Sequence, residues 1–544
     1  MKFRLTKGNF LKTGAYIDGD SAIFTFAAEK EDACSIVLLD KSGNTACELD
    51  IPGEYSTGSL YSVRVHGFCG NEYAYYFRIN GKRCIDPYAT RIFGREKWND
   101  KTRSDNDYEI ACGIDSSDFD WKNDSFPEIT RDRMKLYKLH VRGFSMDTAG
   151  DKKHKGTFEA VSDRINYIKK LGFTSILLMP VYEFEEMTIP VKHDIPEYAK
   201  PKYSLKDEQS VHTENDKVNF WGYTSGNYFA VKASYASDAS DASNELRRLV
   251  ERLHKNGMEC IVEMYFPDRT DHNLILDALR YWVMSFHVDG FKLLGDRLPV
   301  TAIVQDALLS RTKILYDGFD MSVVPQNRTY ENLYIDKEEY QFAARMMLNH
   351  INCNMYELLN QQKKQGENVG FINYISSNNG FTLSDLFMYN DRHNEANGEK
   401  NADGPSWNFS NNYGCEGPSR KRFIREIRKL KWKDAMLLLF LAQGVPMIMA
   451  GDEICNSQDG NNNAYCQDNP TGWVNWSNEH SRRENIRFLT RLIKFRDEHP
   501  VISCPKPFKF SDYKAVGYPD LSYHCKNAWI GECDATKLCV GVMY

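Results

Sequence analysis

Carboxylates gather at the ends of apolar runs in the middle of this chain. Glu263 lies inside MECIVEMYF (258–266) and Asp268 just beyond it. Asp289 and Asp296 flank GFKLLG (290–295), and Asp317 follows KILY (313–316). Two carboxyls held close together can divide acid, base and nucleophile roles between them. The other reading is that these are solvated loop acids or helix caps. The 14 Cys are scattered singly, with no CxxC pair and no short Cys/His spacing. Neither a zinc site nor any other metal or cofactor is therefore expected. Aromatic residues make up 13% of the chain, which suits stacking on sugar faces or the filling of a large core.

Those acids sit on a strand–helix alternation that begins near residue 134. Apolar runs at LYKLHV (136–141), TSILLMPV (174–181), MECIVEMYF, GFKLLG, KILYDGF (313–319), VGFINYIS (369–376) and VPMIMAG (445–451) read as buried strands, with an eighth near ENLYID (331–336). Between them FEAVSDRINYIKKLG (158–172), NELRRLVERLHKNG (244–257), HNLILDALRYWVMSF (272–286), VTAIVQDALL (300–309), YQFAARMMLNHINCNMYELLNQQ (340–362) and KDAMLLLFLAQ (433–443) read as helices, the fifth as one long helix. Near-continuous apolar strands alternating with amphipathic helices predict a parallel sheet covered on both faces. The number of units fits a closed (β/α)8 barrel better than an open sheet. Ahead of it, SAIFTFAA, CSIVLLD, LYSVRVHG and EYAYYFRING alternate apolar and polar residues between turn signals, the pattern of a small antiparallel sandwich. The polar stretch 116–133 reads as a linker. The expected division is an N-terminal β-sandwich over 1–125, the barrel over 126–499, and a short β-rich tail over 500–544 that stops inside an apolar run.

Several further classes are excluded. At 544 residues, 42% hydrophobic and 26% charged, the chain is neither disordered nor fibrous. It has no run of about 18 apolar residues, so no membrane-spanning helix is expected. A net charge of −6 gives no basic footprint for nucleic acid. The N-terminal MKFRLTKGNFLKTGAYIDGD lacks the apolar core of a secretory signal. Together with dispersed cysteines this predicts a cytoplasmic protein with reduced thiols.

Five segments together resemble glycoside hydrolase family 13, the α-amylase superfamily, in its isoamylase, type I pullulanase and glycogen debranching branch. They are LYKLHVRGFS (136–145), LGFTSILLMPVYEFEE (171–186), VNFWGYTSGNYFAVKASYAS (218–237), NGEKNADGPSWNFSNNYGCEG (397–417) and LAQGVPMIMAGDEICNSQDGNNNAYCQDN (441–469). The N-terminal sandwich is similar, less specifically, to a family 48 carbohydrate-binding module. The resemblance implies retaining cleavage of α-1,6 or α-1,4 glucosidic bonds, which needs a nucleophile and an acid/base about 5–5.5 Å apart.

At the positions that matching would make catalytic, the sequence departs from the family pattern. Leu294 stands where the resemblance puts the nucleophile, and Lys292 where it puts an arginine. Asp317 replaces the acid/base glutamate, and Asn378 and Asn379 replace a His-Asp pair. The family's calcium-type asparagine falls on Pro267, and the long cleft segment after strand three is reduced to about Pro267–His272. Trp221 and Tyr223 are candidates for stacking on glucose or for packing beneath the cleft. His140 and Arg142 are candidates for its floor or for a satisfied polar pair. The run GNNNAYCQDN (460–469) either touches glucan or braces its loop. The expected protein binds an α-glucan such as glycogen, starch or maltodextrin without cleaving it, with an active debranching enzyme as an expected partner. The alternatives are an active debranching glycosidase with carboxylates relocated to Asp296 and Asp317, and a protein-interaction scaffold with a vestigial cleft.

Overall fold

The computed structural model describes residues 3–70, 72–102, 110–148, 154–187, 217–320, 322, 324, 331–524 and 539–544. The alternating N-terminal runs pair as two antiparallel sheets. One orders Arg4–Lys7, Leu60–His66, Ser21–Ala27 and Gly14–Asp18; the other orders Arg91–Phe93, Ala111–Gly113, Ala74–Ile79, Cys34–Leu39 and Thr45–Ile51. Inward residues such as Phe24, Tyr75 and Phe77 fill the space between them. Phe24 and Tyr75 meet edge-to-face at 4.8 Å, the arrangement their ring quadrupoles favour.

Eight parallel strands then close on one another: Leu136–Leu139, Ser175–Leu178, Glu259–Tyr265, Gly290–Leu294, Lys313–Leu315, Leu333–Asp336, Gly370–Asn373 and Val445–Met449. The sixth is the strand expected near ENLYID. Because side chains alternate between faces, each strand sends one parity outward against helices and the other into the barrel. Tyr137, Ile176, Val262, Phe291 and Ile448 belong to the outer core. Leu136, Leu177, Ile261, Leu315, Tyr334, Ile372 and Met447 form an apolar layer inside. Two residues below Leu177, Ile261 and Leu315, on the same parity, lie Ser175, Glu259 and Lys313. Glu259 accepts from Ser175 Oγ at 2.9 Å and is ion-paired with Lys313. Two residues above the apolar layer lie Lys138, Glu263, Asp317, Asp336 and Tyr374. Barrel interiors of this kind are stacked layers of side chains. Here the stack is polar below, apolar in the middle and charged at the C-terminal mouth.

Three expected helices take a different form. The run 158–172 divides into Phe158–Asp163 and Ile165–Leu171, because the chain tightens at Arg164, whose amide bonds Val161 O at 3.0 Å. The run 340–362 divides into Glu338–Asn349 and Met355–Gln362. His350 and Asn352 adopt φ of 57° and 47°, a left-handed conformation that ends a helix and that both residue types tolerate. The helix expected from Lys433 begins at Arg422, since its basic first half carries only Ile424 and Trp432 inward and so lacks an apolar stripe. Part of the expected β-rich tail, 525–538, lies outside the described residues; Ser522–His524 and Gly541–Met543 pair antiparallel. No helix among the described residues is long and apolar enough to cross a membrane.

The polar stretch 116–133 is pinned rather than loose. Asp124 accepts from His254 Nδ1 at 2.8 Å and from His287 Nδ1 at 2.7 Å. His254 Nε2 reaches Asp289 Oδ2 at 3.0 Å, and Trp121 stacks on His287 with centroids 3.8 Å apart. Burial alone would lower the His254 pKa, but Asp289 and Asp124 on either side raise it above 6.5. The contribution of this imidazolium is fully present below its unfolded value and is lost as pH rises through the higher folded value. The stability margin of wild type over His254→Gln, from urea unfolding, should therefore be full at about pH 6 and shrink toward about pH 8.5. A margin that grows over that interval would contradict a charged His254 held between two carboxylates.

Candidate functional site

The mouth of the barrel is built by the last inward residue of each strand. On strand one, Lys138 Nζ lies 2.6 Å from Glu263 Oε1 of strand three and donates to Asn378 Oδ1 at 2.7 Å. Tyr223 OH donates to the other Glu263 oxygen at 2.5 Å. On strand four, Lys292 is ion-paired with Asp336 of strand six. Asp317, at the end of strand five, accepts from the Asp336 amide at 3.3 Å. Lys138 and Glu263 are buried, with side chains 4% and 0% exposed. Charges so far from water persist only when paired.

The electrostatics follow from that pairing. Burial, with Lys292 nearby, pulls the Lys138 pKa down against the opposing pull of Glu263. Burial would lower Lys292 as well, but Asp336 and Glu263 together carry it well above the usual lysine value. Burial and the neighbouring Asp336 raise Asp317, against Lys292. The mouth thus offers one protonatable carboxyl near its rim. Asp336 Oδ1 is buried with no hydrogen-bond partner.

Leu294 lies on the inward parity of strand four, two residues beyond Lys292, and is half-buried at the rim. Its carbonyl accepts from Phe266 N at 2.9 Å. The next residue, Gly295, has φ 130°, and a Cβ there would sit 2.0 Å from Phe266 O, so this close approach of strands three and four requires glycine. A leucine side chain has no lone pair and forms no glycosyl ester. Asp296 is exposed on the turn beyond, with no hydrogen bond to Asp317. Asn378 belongs to the Lys138 network, whereas Asn379 is exposed and its carbonyl accepts from Ser377 Oγ at 3.0 Å.

The remaining candidates are distributed unevenly. His140 is buried; its Nδ1 accepts from Gly143 N at 3.0 Å and its Nε2 meets Phe220 O at 2.7 Å. Burial pushes its pKa down to about 4, so it is a neutral, satisfied polar group of the strand end. Arg142 Nε donates to both oxygens of Asp468 at 2.9 Å. The same carboxylate accepts from Trp98 Nε1 at 2.8 Å and Trp473 Nε1 at 2.9 Å. Trp221 is 9% exposed and packs against Tyr223 and Tyr465. The GNNNAYCQDN run braces its loop: Asn462 Nδ2 donates to Asn408 Oδ1 at 2.8 Å and Asn461 Nδ2 to Asn397 Oδ1 at 2.9 Å.

Glu263 is not the solvated loop acid it could have been; it is fully buried and doubly engaged. Lys138, Asp336 and Tyr374 did not emerge from the sequence as site residues. The signal was present as single charges inside otherwise apolar strands, LYKL, GFKLL and LYID. Asp468, which orients two tryptophans and an arginine, carried no such signal. Among the described residues no group of three or more His, Cys, Asp or Glu could hold a metal ion.

Comparisons with known proteins agree with the barrel fold. The model of the α-amylase catalytic domain matches residues 149–274. The chain is 28% identical to chloroplastic isoamylase 1 of Arabidopsis thaliana, over 86% of this chain and 71% of that protein. It is 28% identical to the glycogen debranching enzyme of Enterobacter sp. (strain 638), over 92% of this chain and 86% of that one. A pullulanase from Bacillus acidopullulyticus superposes with TM-score 0.67 at 18% identity, covering 90% of this chain; the chain spans 64% of that pullulanase. Part of the barrel thus carries an α-amylase catalytic domain, the domain of glycoside hydrolase family 13, on a fold shared with pullulanase. The chain is a homologue of the isoamylases and glycogen debranching enzymes.

Removing one partner from a buried ion pair leaves an uncompensated charge, which costs about 3–5 kcal/mol. Lys138→Met should destabilise the fold by that order in urea unfolding, and Lys138→Met with Glu263→Gln should recover most of it. A neutral single substitution would mean the pair is not formed as described.

Proposed function

We propose that this protein is an α-glucan-binding member of the debranching family that does not hydrolyse its ligand. The observation that carries the reading is Leu294 at the inward end of strand four, where the resemblance puts the nucleophile. Retaining hydrolysis proceeds through a covalent ester to that residue, so losing it removes the pathway rather than slowing it. The cross-linked charges beside it support the same reading. The Lys138 ammonium is held among Glu263, Asn378 and Tyr223, a neutralised plug and not an open electrophile-stabilising cleft. Asp317 keeps a raised pKa and could donate a proton, but a donor without a nucleophile completes neither half of the reaction.

Glucan binding is supported by half-buried rings around the mouth. Trp98, Tyr223, Tyr465 and Trp473 cluster with Trp221, and Asp468 fixes two of them by their indole N–H groups. Each ring contributes about 0.5–1.5 kcal/mol by stacking, so affinity is modest. A cytoplasmic location and an active debranching enzyme as partner belong to the same proposal. The relatives' names supply the substrate class: isoamylase and glycogen debranching enzyme.

Purified protein should release no reducing ends from glycogen or pullulan under conditions where an active homologue does, yet be retarded in native gels containing glycogen. Hydrolysis abolished by Asp317→Asn or Asp296→Asn would replace this reading with relocated carboxylates. Hydrolysis absent and no retardation would replace it with a protein-interaction scaffold. The triple change Leu294→Asp, Asp317→Glu, Asn379→Asp should restore little activity, because Lys138, Lys292 and the short loop after strand three still occupy the mouth.

A further inference from the structure

Outside the barrel, a cavity of about 200 Å³ opens between the helices Arg422–Phe440 and Arg483–Glu498. The two helices meet through Trp432 and Phe488, with ring centroids 6.1 Å apart. Four cations line the cavity: Arg425, Arg428, Lys429 and Arg482. Among the described residues Arg425 and Arg482 have no ion-pair partner, and both are exposed. The acid beside them, Glu484, is engaged by Lys429 at 2.7 Å and Lys433 at 3.4 Å. Arg428 uses its terminal nitrogens to hold the rim through Gly417 O at 2.7 Å and Asn412 O at 2.8 Å, while its Nε is buried without a partner. Met388 and Pro418 supply an apolar wall, with the buried Trp432 behind it. In a chain of net charge −6, uncompensated guanidinium groups around a hollow are a local excess of anion-binding capacity.

We propose that this cavity binds a small phosphorylated sugar, with the phosphate between Arg425 and Arg482 and the sugar ring against Met388 and Pro418. The charges select a phosphate monoester, which arginines engage with paired hydrogen bonds. The size selects the rest, since about 200 Å³ falls below the roughly 300–1,000 Å³ of pockets for larger organic ligands. A monosaccharide phosphate suits it and a dinucleotide does not. Met388 and Pro418 give the sugar ring an apolar surface to lie against. This site is separate from the barrel mouth and does not depend on glucan binding there.

Calorimetric titration of the full chain with glucose 6-phosphate, inorganic phosphate and glucose tests the assignment, with ³¹P line broadening of glucose 6-phosphate as an independent readout. Glucose 6-phosphate should bind saturably, at least about tenfold more tightly than inorganic phosphate, and glucose should give no heat. Arg425→Glu with Arg482→Glu should weaken glucose 6-phosphate by at least about tenfold without changing Tm, since neither side chain has an ion-pair partner to lose. Should that pair unfold the protein, Arg425→Gln and Arg482→Gln singly carry the same expectation. Absence of binding, or binding unchanged in the variants, overturns the site. Equal affinity for inorganic phosphate overturns the sugar.

Discussion

A closed ring of eight short parallel strands leaves room inside for few side chains from each, and every one must find its partner within that ring. Closure therefore decides what the inner residues can be. In the middle layer they are apolar and need no partner. At each end the cylinder meets linker or loops, and there polar groups enter in matched sets: Ser175, Glu259 and Lys313 below, and Lys138, Glu263, Lys292 and Asp336 above. Each cation has an anion two strands away, so each pair ties together three neighbouring strands of the cylinder. The outer helices and the sandwich rest on this arrangement, because the outward parity that they cover exists only while the inward one is satisfied.

That constraint also explains the chemistry at the mouth. Hydrolysis by this fold needs carboxylates facing an open space, free to meet a substrate. Here the acids on strands three and six already hold lysines, and the end of strand four presents a leucine. Each lysine inside the barrel is already held by a carboxylate of the protein itself. A glucan arriving at the rim would meet tryptophan and tyrosine edges oriented by Asp468, and asparagines held by their neighbours, rather than a reactive pair.

Much of the fold was legible in the sequence because the barrel strands are short apolar runs, as LYKL and CIVEMY show, and the helices between them are mostly amphipathic. The places where reading failed share a cause. His350 and Asn352 stop a helix by backbone conformation, and neither residue type forbids helix. The basic half of Arg422–Phe440 is helical without the apolar stripe that marks one. At the site, Leu294 and Asn378 were singled out only through the resemblance of the segments around them to a known family. Lys138 and Glu263 were not paired, because their contact joins strands one and three, and only the closed cylinder brings those positions within 2.6 Å. Asp468 was missed for the same reason: its three partners lie at 98, 142 and 473.

The stretch that joins sandwich to barrel reads as spacer by composition, yet it completes the lower end of the cylinder. Ile129 N donates to Glu259 at 2.8 Å, Asp124 bridges two histidines, and Met134 enters the interior layer. Recombination that exchanged the N-terminal module at the compositional boundary near residue 134 would strip the barrel of its own base. Modules can be shuffled through such a junction only if the crossover falls upstream of Trp121, so that the barrel keeps the segment as an inherited part of itself.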